Sequence, residues 1–187
     1  MQERHFKLLA LVIFFLSLVY GFYMIFQAFD FVKEAYIYTG LFALIFLNLS
    51  LFFSLFSFKK TRVYPRLLGI FASIWAILHF LNYFIFDKNA QLLRLLDDIS
   101  KRFLEASGFI SFVLLMLMFI SSFKFFKKMH KIRKLAYLCL LCASYHYFLT
   151  PKVPMFWEYT ALALAIFYIL WRYKPKNLRF YSYQNSN

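Results

Sequence analysis

Glycine, acidic side chains and cysteine are all scarce in this chain of 187 residues, which has four Gly, eight Asp plus Glu and two Cys. Each shortage excludes something. Gly21, Gly40, Gly69 and Gly108 fall in four different hydrophobic stretches, so no G-x-G-x-x-G turn or P-loop can form, and the chain carries no nicotinamide or nucleotide site of its own. Glycines placed this way suit close helix contact, or the approach of a flat ligand to the backbone. Cys139 and Cys142 form a C-x-x-C pattern inside an apolar run, where cysteine is usually a small buried hydrophobe rather than a thiol-exchange pair. Charged residues make up only 16% of the chain, whereas 63% is hydrophobic and 28 residues are Phe. That composition is foreign to a soluble domain and implies an integral membrane protein.

Six stretches are long enough, or nearly so, to cross an apolar layer about 30 Å thick. They are 8–29, 35–58, 67–86, 106–123, 135–149 and 153–171. The fifth is short and is expected to borrow residues from the turn before it, with basic side chains snorkelling to the interface. The first is too long for the apolar core of a signal peptide and no A-x-A site follows it, so it is expected to stay in the mature protein. No second domain is expected after Trp171. The expected fold class is therefore an all-α integral membrane protein, a six-transmembrane-helix bundle forming a single transmembrane domain over 1–187.

A net charge of +14 raises the question of nucleic acid, but the basic residues lie in blocks at alternate helix ends. Sixteen Lys and Arg fall on one side of the six stretches and six on the other, which orients the chain with both termini in the cytoplasm. No nucleic-acid partner is expected.

His79 and His146 are the candidate chemistry. Arg66 is the last charge before the third stretch and Lys134 the last before the fifth. At about 1.5 Å per residue both imidazoles then lie roughly 18 to 20 Å along their helices from the same membrane face. An ionisable side chain at that depth needs a partner or a cofactor. Two imidazoles on facing helices close both axial positions of a haem iron, which favours electron transfer over oxygen activation. Ala76, Ala72 and Gly69 below His79, and Cys142 and Cys139 below His146, leave room for a porphyrin. The plainer reading is a pair of histidines hydrogen-bonded to a carbonyl or a Ser/Thr hydroxyl between helices.

Other polar residues read more simply. His5 and His130 are expected to be solvated and interfacial, and Glu158 interfacial rather than part of a proton relay. Arg133 is free to contact a quinone, a lipid phosphate or another helix. Between 87 and 105, Leu92, Leu93, Leu95, Leu96 and Ile99 alternate with charges as in a short interfacial helix, one that caps the site, receives a partner or simply lies on the bilayer.

The segment Arg66-Leu67-Leu68-Gly69-Ile70, followed by Trp75-Ala76-Ile77-Leu78-His79 and Tyr83, resembles the third helix of the MsrQ/YedZ family. These are haem-binding membrane subunits of periplasmic methionine-sulfoxide reductase systems, related to ferric-reductase transmembrane domains. Asp98-Ile99-Ser100-Lys101-Arg102 with Gly108, Ile120-Ser121-Ser122, and Tyr137-Leu138 with His146-Tyr147 and Lys152 are similar to its next segments. The resemblance gives a ferric-reductase-like haem core over about 60–155. Phe103-Leu104 departs from it, since Pro-Tyr is common there.

The resemblance implies a b-type cytochrome in a bacterial inner membrane that relays electrons from the quinol pool, or from a flavin donor, to a periplasmic molybdopterin subunit (MsrP-like) that reduces methionine sulfoxide. The membrane subunit would not itself turn over the sulfoxide. His79 and His146 match two haem-ligating histidines. A third family histidine falls at Arg133, whose protonated guanidinium is no haem ligand, so one haem b is expected, with quinone and FMN as further candidate ligands. Arg66, Arg102 and Lys152 are candidates for haem propionates, quinone or partner docking. A membrane ferric or other metal reductase, and a haem-free scaffold or assembly protein, are the alternatives.

Overall fold

The computed structural model describes residues 2–55, 64–123 and 134–174. Among them the chain is helical, with no strand. Apolar side chains on every side of a helix suit lipid, and a helix is the one open-chain form that satisfies its own backbone there. The helices are α1 (Gln2–Gln27), α2 (Phe31–Leu55), α3 (Tyr64–Asn82), α4 (Leu92–Lys101), α5 (Phe103–Ser121), α6 (Ala136–Leu149) and α7 (Phe156–Arg172). Within the described residues, a helix thus runs through each of the six apolar stretches and through the expected short amphipathic segment.

Among the described residues, four helical segments are both long and apolar enough to cross a membrane: Arg4–Gln27, Phe31–Leu55, Tyr64–Asp87 and Phe103–Ser121. The six-span expectation is met to that extent, because α6 has 14 residues and α7 has 17.

Local chemistry sets several ends. Asp30 accepts a hydrogen bond from the Lys33 amide at 3.0 Å, a side-chain cap at the start of α2. Pro65 opens α3, where its missing N–H costs nothing. After Asn82 the helix widens into a π turn, Tyr83–Asp87. The chain then reverses through Asn89 and Ala90, both left-handed with φ of 50° and 54°, and starts α4. At α7, Glu158 accepts from the Met155 amide at 2.8 Å, so this carboxylate is a helix cap, in keeping with its expected interfacial place.

One buried core joins α1, α2 and α3 with Leu115 of α5, Leu140 of α6 and Ala165 of α7, and its aromatic part lies among α1, α2 and α3. Trp75 is fully buried, stacks on Phe42 at 4.9 Å and donates from Nε1 to the Ser17 hydroxyl at 3.3 Å. Phe14 stacks on Phe71 at 4.2 Å. Gly21 makes this possible, since a Cβ there would stand 2.9 Å from the Trp75 ring. Outward-facing Phe15, Phe26, Ile166 and Leu170 are exposed, as lipid-facing residues are. Helix α2 touches α1, α3, α6 and α7, while α5 touches α3, α4 and α6. Four helices, α2, α3, α5 and α6, thereby enclose a cavity, with α4 at one end.

Candidate functional site

The cavity has a volume of about 530 Å³, and both His79 and His146 line it. That size lies within the range of cofactor sites, roughly 300–1,000 Å³. Its walls are mainly apolar, with Phe80 stacked on Phe112 at 4.4 Å, and with Ala76 and Cys139 leaving space beside the histidines.

The two imidazole centres are 6.2 Å apart and their planes nearly perpendicular, at 82°. Metal–imidazole bonds of about 2.0–2.1 Å put two rings sharing one ion roughly 5 to 6.5 Å apart, centre to centre. The observed separation falls in that interval.

Each ring is held by its Nδ1. His146 Nδ1 lies 2.8 Å from the Leu104 carbonyl oxygen, which can only accept, so Nδ1 carries the proton. His79 Nδ1 lies 3.1 Å from Thr39 Oγ1. The one hydroxyl proton of Thr39 goes to the Ala35 carbonyl, leaving its oxygen to accept from His79. Both rings then keep the Nε2 lone pair free, which is the tautomer a metal ligand needs. The expected haem fits this pair on three counts: separation, tautomer and surrounding space. Among the described residues no group of three or more His, Cys, Asp or Glu could hold an ion alone, whereas a porphyrin brings its own four nitrogens.

Two glycines seat the rings. A Cβ at Gly108 would lie 2.7 Å from Cε1 and Nδ1 of His146, and one at Gly40 would lie 3.0 Å from Cε1 of His79. The arrangement repeats: α3 carries a histidine whose glycine and acceptor are on α2, and α6 carries one whose glycine and acceptor are on α5. At these two positions the space left by a glycine is taken by an imidazole rather than by a flat ligand.

The predicted site residues divide. His79, His146 and Arg102 line the cavity. Arg66 does not: it sits at the far end of α3, where its guanidinium donates to the Ser122 carbonyl and ties α3 to the end of α5. Lys152 is exposed in the α6–α7 turn and does not line the cavity, although Thr150 does. Of the two cysteines, Cys139 faces the cavity and donates to the Ser111 carbonyl at 3.3 Å, whereas Cys142 lines a separate apolar pocket with Phe103, Ile110 and Leu162. Cys142 and Cys139 therefore do not share one face beneath His146. Gly69 and Ala72 also lie away from the cavity, against Ser50 and in the core respectively. His5 is exposed on α1, while His130 and Arg133 lie outside the described residues.

At the α4 end, Ile99 lines the cavity, so the amphipathic segment does cap it. A clamp holds it there. Lys88 pairs with Asp87 at 2.9 Å and with Asp98, and Tyr83 donates to Asp98 at 3.4 Å. Burial alone would lower the Lys88 pKa, but hydrogen bonds to Asp98 and Asp87 outweigh it and raise it above its usual range. The hydrogen bond from Lys88 holds the Asp98 carboxyl below its usual range. Beside the clamp, Arg102 pairs with Glu105 at 2.8 Å.

Sequence reasoning gave no site role to Tyr36, Thr39, Lys88, Asp98 or Glu105. Thr39 and Tyr36 were hidden because α2 reads as uniform hydrophobicity; a Thr-Gly step deep in an apolar helix was the available signal.

The sequence family described as ferric reductase like transmembrane component matches residues 39–149. The matched segment begins at Thr39 and ends three residues past His146, so it contains both histidines and all four of their supports. No curated protein and no solved structure gives a match.

Proposed function

The chain belongs to the family of ferric reductase like transmembrane components, and from that premise we propose that it is a b-type cytochrome subunit, a relay from membrane quinol to a periplasmic molybdopterin methionine-sulfoxide reductase. The observation that carries this reading is the histidine pair, 6.2 Å apart, each Nδ1 turned to a protein oxygen and each Nε2 left free. When bound, haem supplies one-electron exchange at its iron.

The protein's part is to hold and orient. His79 and His146 would hold the haem iron. Thr39 and the Leu104 carbonyl fix their tautomers and raise their basicity, Gly40 and Gly108 fix the ring positions, and the Phe80–Phe112 wall excludes water. Arg102, at the cavity mouth, is the propionate contact among the three cations named from sequence; Lys152 and Arg66 are left for partner docking and for bundle closure. Six helices cross the membrane with both termini inside, on the distribution of Lys and Arg, so the α4 end faces the periplasmic partner. One haem is expected, with quinol rather than FMN as the immediate electron donor, because Arg133 replaces the third histidine of the similar family.

A second reading, a membrane ferric or other metal reductase, draws on the family's own description. It uses the same ligands and differs in the acceptor.

The test is the absorption spectrum of the purified protein and its variants. A two-imidazole b-type spectrum at about one equivalent is expected, lost in His79→Ala and in His146→Ala but kept in His5→Ala. Two equivalents would refute the count, and no haem would leave the scaffold reading. Haem reduction in vesicles by a quinol analogue, against NADH with a flavin reductase under quinone depletion, decides the donor. Reoxidation by the periplasmic reductase or by ferric chelate decides the acceptor.

A further inference from the structure

Two polar atoms in the cavity wall are buried and have no hydrogen-bond partner among the described residues: Tyr36 Oη and Glu105 Oε2. The Glu105 side chain is only 9% exposed and its other oxygen is taken by Arg102. The Tyr36 ring stands edge-to-face against His79, 5.6 Å between centres. Glu105 follows Leu104, whose carbonyl anchors His146. The two orphaned atoms therefore flank the histidine pair from α2 and from α5.

Buried polar groups without partners are rare in folded proteins, and such a pair in one cavity marks where a ligand completes the hydrogen bonding. The chemistry of that ligand is constrained. A carboxylate oxygen can only accept, so the ligand presents an O–H or N–H to Glu105; a phenol donates, so the ligand presents an oxygen to Tyr36. The charged groups nearby are already paired with one another, Lys88 with Asp87 and Asp98, and Arg102 with Glu105. With Arg102 also given to a haem propionate, no positive charge is left among them for a further anion, which favours a neutral ligand. The intervening wall is aromatic, and Ile37, which lines the cavity on α2, is 47% exposed on the bundle's outer face, an exit toward lipid for an apolar tail.

We propose that the α4 end of the cavity is the head-group site of a quinol, with one hydroxyl donating to Glu105 Oε2 and the opposite oxygen accepting from Tyr36 Oη. This rests on the reading of quinol as the electron donor and adds the residues that recognise its reduced form. Glu105 is the residue that selects quinol over quinone, because a quinone carbonyl brings no hydrogen to a carboxylate.

The test is anaerobic calorimetry of the purified protein with duroquinol, its haem already reduced, and separately with duroquinone, its haem oxidised; wild type and variants are compared within each arm. Glu105→Gln is expected to weaken duroquinol about tenfold, the loss of one charge-assisted hydrogen bond. Duroquinone is expected to bind Glu105→Gln as well as wild type or better, since an amide N–H can donate to its carbonyl. Tyr36→Phe is expected to weaken both ligands several-fold while haem content by the Soret band stays unchanged. Equal effects of Glu105→Gln in the two arms, or none, would overturn the assignment. So would haem loss from Tyr36→Phe that disappears when the protein is loaded with the dimethyl ester of haem, because Tyr36 would then serve a propionate. Binding is read directly, so a protein without haem would defeat the cytochrome reading and leave this measurement able to stand or fail alone.

Discussion

Gly108 lies so close beneath the ring of His146 that a methyl group there would stand 2.7 Å from both Cε1 and Nδ1. The atom that must give way is a ring pinned by its bond to Leu104, not the end of a flexible chain. Gly108→Ala is therefore expected to displace His146, at an overpacking cost of about 1–3 kcal/mol, and to remove most of the low-spin haem signal. Gly40→Ala, with 3.0 Å to His79, should be milder, and Gly69→Ala, with 3.6 Å to Ser50, close to neutral. Soret titration of the three variants checks the order; a Gly69→Ala defect as large as that of Gly108→Ala would refute the seating role.

Thr39→Val keeps the shape of the α2 side chain and removes the oxygen that accepts from His79 Nδ1. Losing such an outer contact typically costs about 10–100-fold in metal affinity. A loss near the lower figure is expected in competition with apomyoglobin for haem, and Thr39→Ser, which keeps the hydroxyl, should recover it. Equal failure of Ser and Val would point to packing instead.

The Lys88–Asp98 clamp gives α4 a pH dependence of known sign. The Asp98 carboxyl is depressed by the Lys88 hydrogen bond, so its contribution is complete above the ordinary carboxyl value of about 3.9 and fades as pH falls through the lowered one. For Lys88 burial acts downward, but hydrogen bonds to Asp98 and Asp87 prevail; its contribution is complete below the ordinary value of about 10.4 and fades only on alkalinisation past the raised one. A spin label at position 93, which is exposed on α4, should be immobile at neutral pH and loosen in acid. Asp98→Asn should show the loosened signal already at pH 7. Unchanged mobility in that variant would mean the clamp does not hold α4.

Much of the bundle was legible because lipid imposes one rule on long stretches: apolar everywhere and helical. Hydropathy alone located all six apolar helices, and the alternation of Leu with charge located α4. The histidine pair was legible for a related reason, since an imidazole deep in an apolar run is conspicuous. What stayed hidden acts between helices. That Cys142 turns away from Cys139, or that Arg66 closes the opposite end of the bundle, depends on helix rotation, and sequence spacing fixes that only on an ideal straight helix. The supports of the rings were hidden because two of them are backbone features, a carbonyl at Leu104 and a missing Cβ at Gly108, and neither has a side-chain signature.

The repeated arrangement of histidine, glycine and acceptor has a consequence for assembly. The α2–α3 and α5–α6 hairpins form the two most extensive helix contacts, and each carries one ring with its own seat and its own anchor. Each hairpin thus supplies one complete half of the ring pair. A group bridging the rings joins these two halves, so its binding free energy also holds them together. The thermal midpoint of the bundle should accordingly climb with the concentration of that group, as a dimer's does with a ligand shared across its interface, although here both partners lie on one chain.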